Sequence, residues 1–249
     1  MPTPDHRTAG ITQAITKSTS RRALFALLLL IPVPSLGAAV LLYWAPDTLG
    51  KVLYGLCKVW LLVLPIGWFL FVERGKFSLS PMRKGGLLAG LVTGVAIAVV
   101  IFVFYALVGR EWIDAETFRS SLSEVGFDNK SFYLASAVYV MLINAAIEEY
   151  AWRWFVFRQC ERLMPGFLAV LLSAGLFTIH HIVSLRAYVG WDVTLISCLG
   201  LMIGATVWST LYWRYRSIWP GYLSHIFADI AVYMVGWQVM FGNAGPGTP

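Results

Sequence analysis

Glu148, Glu149 and Arg153 lie inside an otherwise uncharged apolar stretch, Phe132 to Val156. That stretch is long enough to cross a bilayer, where an ionised side chain is costly, so a pair of carboxylates there points to function. On a helix of about 3.6 residues per turn, Glu149 and Arg153 share a face at i and i+4, while Glu148 points about 100° away. The two glutamates therefore have different work. Glu149 compensates Arg153 and pins the helix, and Glu148 is left as the free carboxylate, suited to general acid or base chemistry. Glutamates that merely glued helices together would need one carboxylate per cation.

Two later apolar stretches add imidazoles. Phe177-Thr178-Ile179-His180-His181 places adjacent histidines about 100° apart, so only one is expected to face a given site squarely. His181 shares a helical face with Phe177 and is the one selected. A single His on an apolar face is more often a hydrogen-bonded packing residue, and only the neighbouring acidic groups change that balance. His225-Ile226-Phe227-Ala228-Asp229 sets imidazole and carboxylate at i and i+4, close enough for Asp229 to fix the tautomer or hold a proton.

These groups need spans to position them, and the composition supplies little else. Of 249 residues, 58% are hydrophobic and 13% charged, against about a quarter charged in soluble domains. The expected fold is an all-α polytopic transmembrane helical bundle of about seven to eight spans. Seven are marked: Ala23 to Ala45, Val52 to Val72, Gly85 to Val108, Phe132 to Phe157, Phe167 to Ser184, Val193 to Tyr212 and Ile218 to Phe241. Residues 1–22 read as a cytoplasmic tail and 23–249 as a single transmembrane domain with its chemical core at about 132–241. Arg21 and Arg22 before Ala23 to Leu30 also resemble a signal peptide, but apolar character resumes at Val40, which favours an uncleaved span.

Basic residues collect in every second loop: Arg7, Lys17, Arg21 and Arg22; Arg74, Lys76, Arg83 and Lys84; Arg158 and Arg162; Arg214 and Arg216. That alternation places the N-terminus on the cytoplasmic side, in what reads as a bacterial cytoplasmic membrane. The net charge of +6 then reports topology and affinity for membrane lipids, with no basic and aromatic face that would bind nucleic acid. Cys57, Cys160 and Cys198 read as small packing residues. Pro32, Pro34 and Pro65 are expected to kink their spans, and Glu111 to Gly126 to form an amphipathic surface helix or loop. Lys58 is expected to snorkel toward the outer face, and Trp44, Trp60, Trp68, Trp152, Trp154, Trp213 and Trp219 to sit in interfacial belts or packing.

Glu-Glu-x-x-x-Arg at 148–153, Phe-x-x-x-His at 177–181 and His-x-x-x-Asp at 225–229 resemble the three motifs of the CPBP family of intramembrane proteases. That family includes type II CAAX prenyl endopeptidases and bacterial Abi-type proteins linked to bacteriocin processing or self-immunity. The resemblance runs from Ala135 to Trp237; the first three spans share only apolar character with it. It implies that Glu148 and His181 polarise a water for attack on a peptide carbonyl. It implies further that His225 and Asp229 stabilise the oxyanion, with Glu149, Arg153 and Phe177 in support. The final motif position, commonly Asn in the prenyl endopeptidases, is Asp229 here, and a carboxyl group must be protonated to donate to an oxyanion.

The implied partner is a peptide or protein substrate, prenylated or unmodified. No cofactor is favoured. Zinc is the alternative, held by Glu148, His181 and His225, a ligand set found in some catalytic sites; the absence of His-Glu-x-x-His weighs against it. A proton-coupled transporter would also use intramembrane Glu, His and Asp, but no internal repeat accompanies them. A non-catalytic peptide-binding or immunity protein would not need the motifs intact. Counted from the helix ends, Glu148, His181 and His225 differ in depth by roughly 10 Å. The catalytic reading therefore requires them to converge within one water's reach.

Overall fold

The computed structural model describes residues 6–75 and 78–242, with side chains from Ser18 onward. The expectations that rest on residues 1–5 and 243–249, and on the side chains of Arg7, Lys17 and Lys76, lie outside the described residues. Among the described residues every regular element is a helix. Seven helices are long and apolar enough to cross a membrane: α1, helical from His6 with its apolar span at Ser18–Trp44; α2, Thr48–Val72; α3, Leu87–Trp112; α5, Lys130–Leu163; α6, Phe167–Arg186; α7, Trp191–Tyr215; and α8, Trp219–Phe241. The short α4, Ala115–Ser123, joins α3 to α5.

Local chemistry sets the helix ends. Asp47 caps α2 by accepting from the amides of Leu49 and Gly50, at 3.0 and 3.3 Å. Asp114 caps α4 through Glu116 and Thr117, and Asn129 caps α5 through the Phe132 amide. Of the surface helix or loop expected over Glu111 to Gly126, Ala115–Ser123 is helix, the stretch behind the Asp114 cap. In α1 the chain turns at Ile31, and Pro32 opens the next helical segment at its first position. Pro65 sits inside α2, and a π-helical turn follows at Trp68–Val72.

α5 outruns its apolar stretch, continuing to Leu163 where the sequence suggested Phe157. Ion pairs at that end account for the extension. Arg162 grips Glu73 with both guanidinium nitrogens, at 2.7 and 2.8 Å, while Gln159 donates to the same carboxylate at 2.9 Å. Arg216 makes a similar fork on Glu161. Nearby, Ser217 and Ile218 donate to Ser80, which fastens the turn into α8 onto the segment before α3.

α8 packs along α3 at close range through small residues. A Cβ at Gly90 would strike the Pro220 carbonyl oxygen, and one at Gly94 would come within 2.9 Å of Ser224 Cα. α6 and α7 pack side by side, and α1 lies against α6 and the last turns of α5. The core between them is aromatic, with Trp152, Phe155, Phe157, Phe177, Trp208 and Tyr212 buried together. Cys160 and Cys198 are buried free thiols and Cys57 is half-buried, as packing residues would be.

Candidate active site

The helix that carries the two glutamates is irregular where it matters. α5 makes a π turn at Val140–Asn144, one α turn at Ala145–Glu148, then a π-helical run from Glu149 to Phe157. Such runs are rare and recur at functional sites. Every residue of the Glu149–Phe157 run except Tyr150 is buried. Glu149 and Arg153 are fully buried and Arg153 Nη1 lies 3.3 Å from Glu149 Oε1, the pairing expected from their spacing. The guanidinium is sandwiched by aromatic faces, 4.5 Å from the Phe177 ring centre and 5.1 Å from that of Trp208.

Glu149 does more than compensate Arg153. Its Oε1 also lies 3.1 Å from His225 Nδ1, and its Oε2 rests over Gly221, where a Cβ would collide with it. A carboxylate only accepts, so Nδ1 of His225 carries a proton and donates it. The tautomer-fixing role expected of Asp229 therefore belongs to Glu149. Asp229 Oδ1 instead sits 3.8 Å from His225 Nε2, on the side of the ring that also faces Glu148 Oε2 at 3.9 Å. Trp208 stacks on the His225 ring at 4.0 Å between centres and donates its indole N–H to Ser224.

Glu148 is not the free carboxylate that the helical wheel suggested. Asn144 Nδ2 donates to its Oε1 at 2.9 Å, and Lys58 Nζ, from α2, lies 3.8 Å from the same oxygen. Lys58 does not snorkel outward; it donates to Asn144 Oδ1 at 2.7 Å. An ammonium beside a buried carboxylate has a nearer partner than the membrane surface.

Both histidines of α6 reach this carboxylate. The nearest donor atoms of Glu148, His180 and His181 lie within 4.8 Å of one another, and the two rings are 3.9 Å apart. Only one histidine was expected to face the site squarely; His180 as well as His181 brings a ring nitrogen near Glu148. His181 Nδ1 is 3.1 Å from the Phe177 carbonyl oxygen. That oxygen only accepts, so Nδ1 is protonated and Nε2 is left with a lone pair. His180 stacks on Trp152, nearly parallel at 6°. Phe177 touches both histidines, Trp152, Trp208 and Arg153 and forms the apolar floor of the site.

Glu148, His181, His225 and Asp229 are thus brought together from three helices. The one group of three donors among the described residues that could share an ion is Glu148, His180 and His181. The sequence reading had put His225 in the place of His180. Two imidazoles and a carboxylate suit zinc, although Glu148 Oε1 is already engaged by Asn144 and a cation. Sequence reasoning missed Lys58, Asn144 and His180. The signal for Lys58 was present, a lysine in the middle of an apolar span; Asn144 carried none beyond its polarity.

No curated protein and no solved structure matches the chain. Residues 130–231 match the family described as Type II CAAX prenyl endopeptidase Rce1-like, the stretch that runs from the start of α5 into α8 and bears every acidic and imidazole group of the site. The hydrophobic helices and this match together make the chain an integral membrane protein. Over 130–231 it is similar to the Rce1-like type II CAAX prenyl endopeptidases, in keeping with the CPBP family.

Proposed function

We propose that this chain is an intramembrane endopeptidase in which Glu148 and His181 activate a water for attack on a peptide carbonyl. The observation that carries the reading is the convergence of Glu148, His181 and His225 from three helices into one buried cluster. Glu148 takes a proton from the water as the new C–O bond forms, and returns it to the leaving amine as the C–N bond breaks. The free Nε2 of His181 accepts from the same water and orients it. His225, protonated on both ring nitrogens so that Nε2 donates as well as Nδ1, and a protonated Asp229 face the developing oxyanion, each donating one hydrogen bond to it. Glu149 and Arg153 hold His225 in register.

The substrate is a peptide or protein, prenylated or unmodified, that reaches the site from within or beside the membrane. The basic alternate loops favour an N-terminus on the cytoplasmic side of the membrane. A zinc-dependent form of the same peptidase is the second reading, favoured by the grouping of Glu148, His180 and His181. Those three residues would hold the ion, which would supply Lewis acidity to a bound water.

The deciding experiment offers farnesylated and unmodified peptides to purified wild type, Glu148→Gln and His181→Ala, with and without a zinc chelator. Cleavage that is lost in both variants and indifferent to chelator supports the metal-free reading. Loss to chelator with recovery on added zinc supports the metal reading. Cleavage that survives Glu148→Gln overturns both.

A further inference from the structure

Lys58 stands in α2, outside the segment that matches the peptidase family. Its Nζ donates to Asn144 Oδ1 at 2.7 Å and lies 3.8 Å from Glu148 Oε1, while Asn144 Nδ2 donates to that same oxygen at 2.9 Å. The three groups close a triangle in which the Asn144 amide is satisfied at both ends, and this fixes its orientation. Only Oε1 of Glu148 is engaged by the triangle. Oε2 is turned toward His225 Nε2 at 3.9 Å. A carboxylate held by one oxygen in this way cannot exchange its two oxygens by rotation without giving up the hydrogen bond from Asn144.

We propose that Lys58 and Asn144 are positioning residues for Glu148: they clamp Oε1 so that Oε2 is the atom presented to the reacting water, with the ammonium as its countercharge. The inference rests on Glu148 as the catalytic base. It also makes the site a product of both halves of the chain, since the C-terminal helices alone would leave Glu148 without its cation. A clamp of this kind acts on the chemical step more than on substrate binding, because misplacing a catalytic group by about 1 Å is enough to cost about a hundredfold in rate.

The test combines kinetics with thermal unfolding in detergent, using wild type, Lys58→Met, Lys58→Arg, Glu148→Gln and the Lys58→Met/Glu148→Gln double variant. Lys58→Met keeps the length of the side chain and removes its charge. On any cleaved peptide of the farnesylated and unmodified panel, Lys58→Met is expected to lower kcat about a hundredfold with KM nearly unchanged, and Lys58→Arg to recover part of that loss. Lys58→Met is also expected to lower Tm by leaving a buried carboxylate uncompensated, and the double variant to regain most of that loss. Wild-type kcat in Lys58→Met, or Tm changes that simply add, overturns the clamp. Activity that survives Glu148→Gln overturns the peptidase reading instead. The Tm cycle then still decides whether the triangle exists.

Discussion

Two pairs of helices in this bundle are built under different rules. In α2 and α3 only 17% of the most apolar window is buried inside the protein, against 33% in α6 and α7. The first two are largely outer helices, except at Lys58 of α2 and at the glycines through which α3 meets its neighbour α8. The helices of the C-terminal half surround a polar cluster, in which Glu148, Glu149 and His225 meet partners at defined distances. The contrast shows where a single residue is informative. Lys58 is exceptional in α2 because it turns inward, whereas Glu149 in α5 is one of several groups that must all fit at once.

The largest effect expected from that difference is at the base itself. Glu148→Gln keeps the shape and removes the proton acceptor. Peptide cleavage should fall by about 10²–10⁴-fold, while a lipid-facing change such as Val100→Leu in α3, at a side chain 66% exposed, should leave the rate unaltered. Equal losses in both, measured as kcat on one cleaved peptide, would erase the distinction between the outer helices and those around the site.

Arg153→Met comes next. Removing one partner of a buried pair strands Glu149, and destabilisation of about 3–5 kcal/mol is expected, read as a lowered Tm in detergent. A smaller loss, about 1–3 kcal/mol, is expected for Gly221→Ala, because its Cβ would displace the Glu149 carboxylate. That variant should also lose activity through His225, which Glu149 holds at Nδ1. Unchanged Tm in Gly221→Ala would mean that Glu149 has room to move and that its contact with His225 is not fixed.

Asp229→Asn sharpens the chemistry at little cost to structure. The amide donates without needing a proton, so activity should be retained and should decline less on the alkaline side than in wild type. An Asn variant that is inactive at every pH would show that the carboxylate itself takes part.

The smallest effect is expected outside the spans, at Glu73. Burial alone would push its carboxyl up, but the hydrogen bonds from Arg162 and Gln159, with the charges of Arg162 and Arg158, outweigh it and hold the group below its ordinary value of 4.5. A lowered folded value stabilises the folded state above the unfolded pKa, and that contribution is lost as pH falls through the folded one. Glu73→Gln should therefore cost about 1 kcal/mol at pH 7. The gap in Tm from wild type should shrink as pH drops below about 4.5. A constant gap across that range would remove the charge pairing as its cause.

Much of the bundle was legible because it follows from composition and period. Runs of about 20 apolar residues mark spans, and the seven observed helices lie within a few residues of those marked, apart from the ion-paired extension of α5. The pairing of Glu149 with Arg153 was legible because both lie on one helix at i and i+4, and the π-helical backbone there kept them within reach. The contacts of Glu148 with Lys58 and of Glu149 with His225 were not, since they join residues 90 and 76 positions apart. No local pattern encodes such separations.

The sequence by itself determined that these groups are membrane-embedded, which residues are ionisable, and which of them share a helical face. Those are properties of chain chemistry and helical period, both local. Only the tertiary structure decided that Glu148 meets a lysine, that both histidines of α6 face it, and that Glu149 in place of Asp229 holds Nδ1 of His225. Each of those depends on how helices rotate and settle against one another. Packing through Gly90, Gly94 and the Phe177 cluster sets that arrangement over the whole bundle at once.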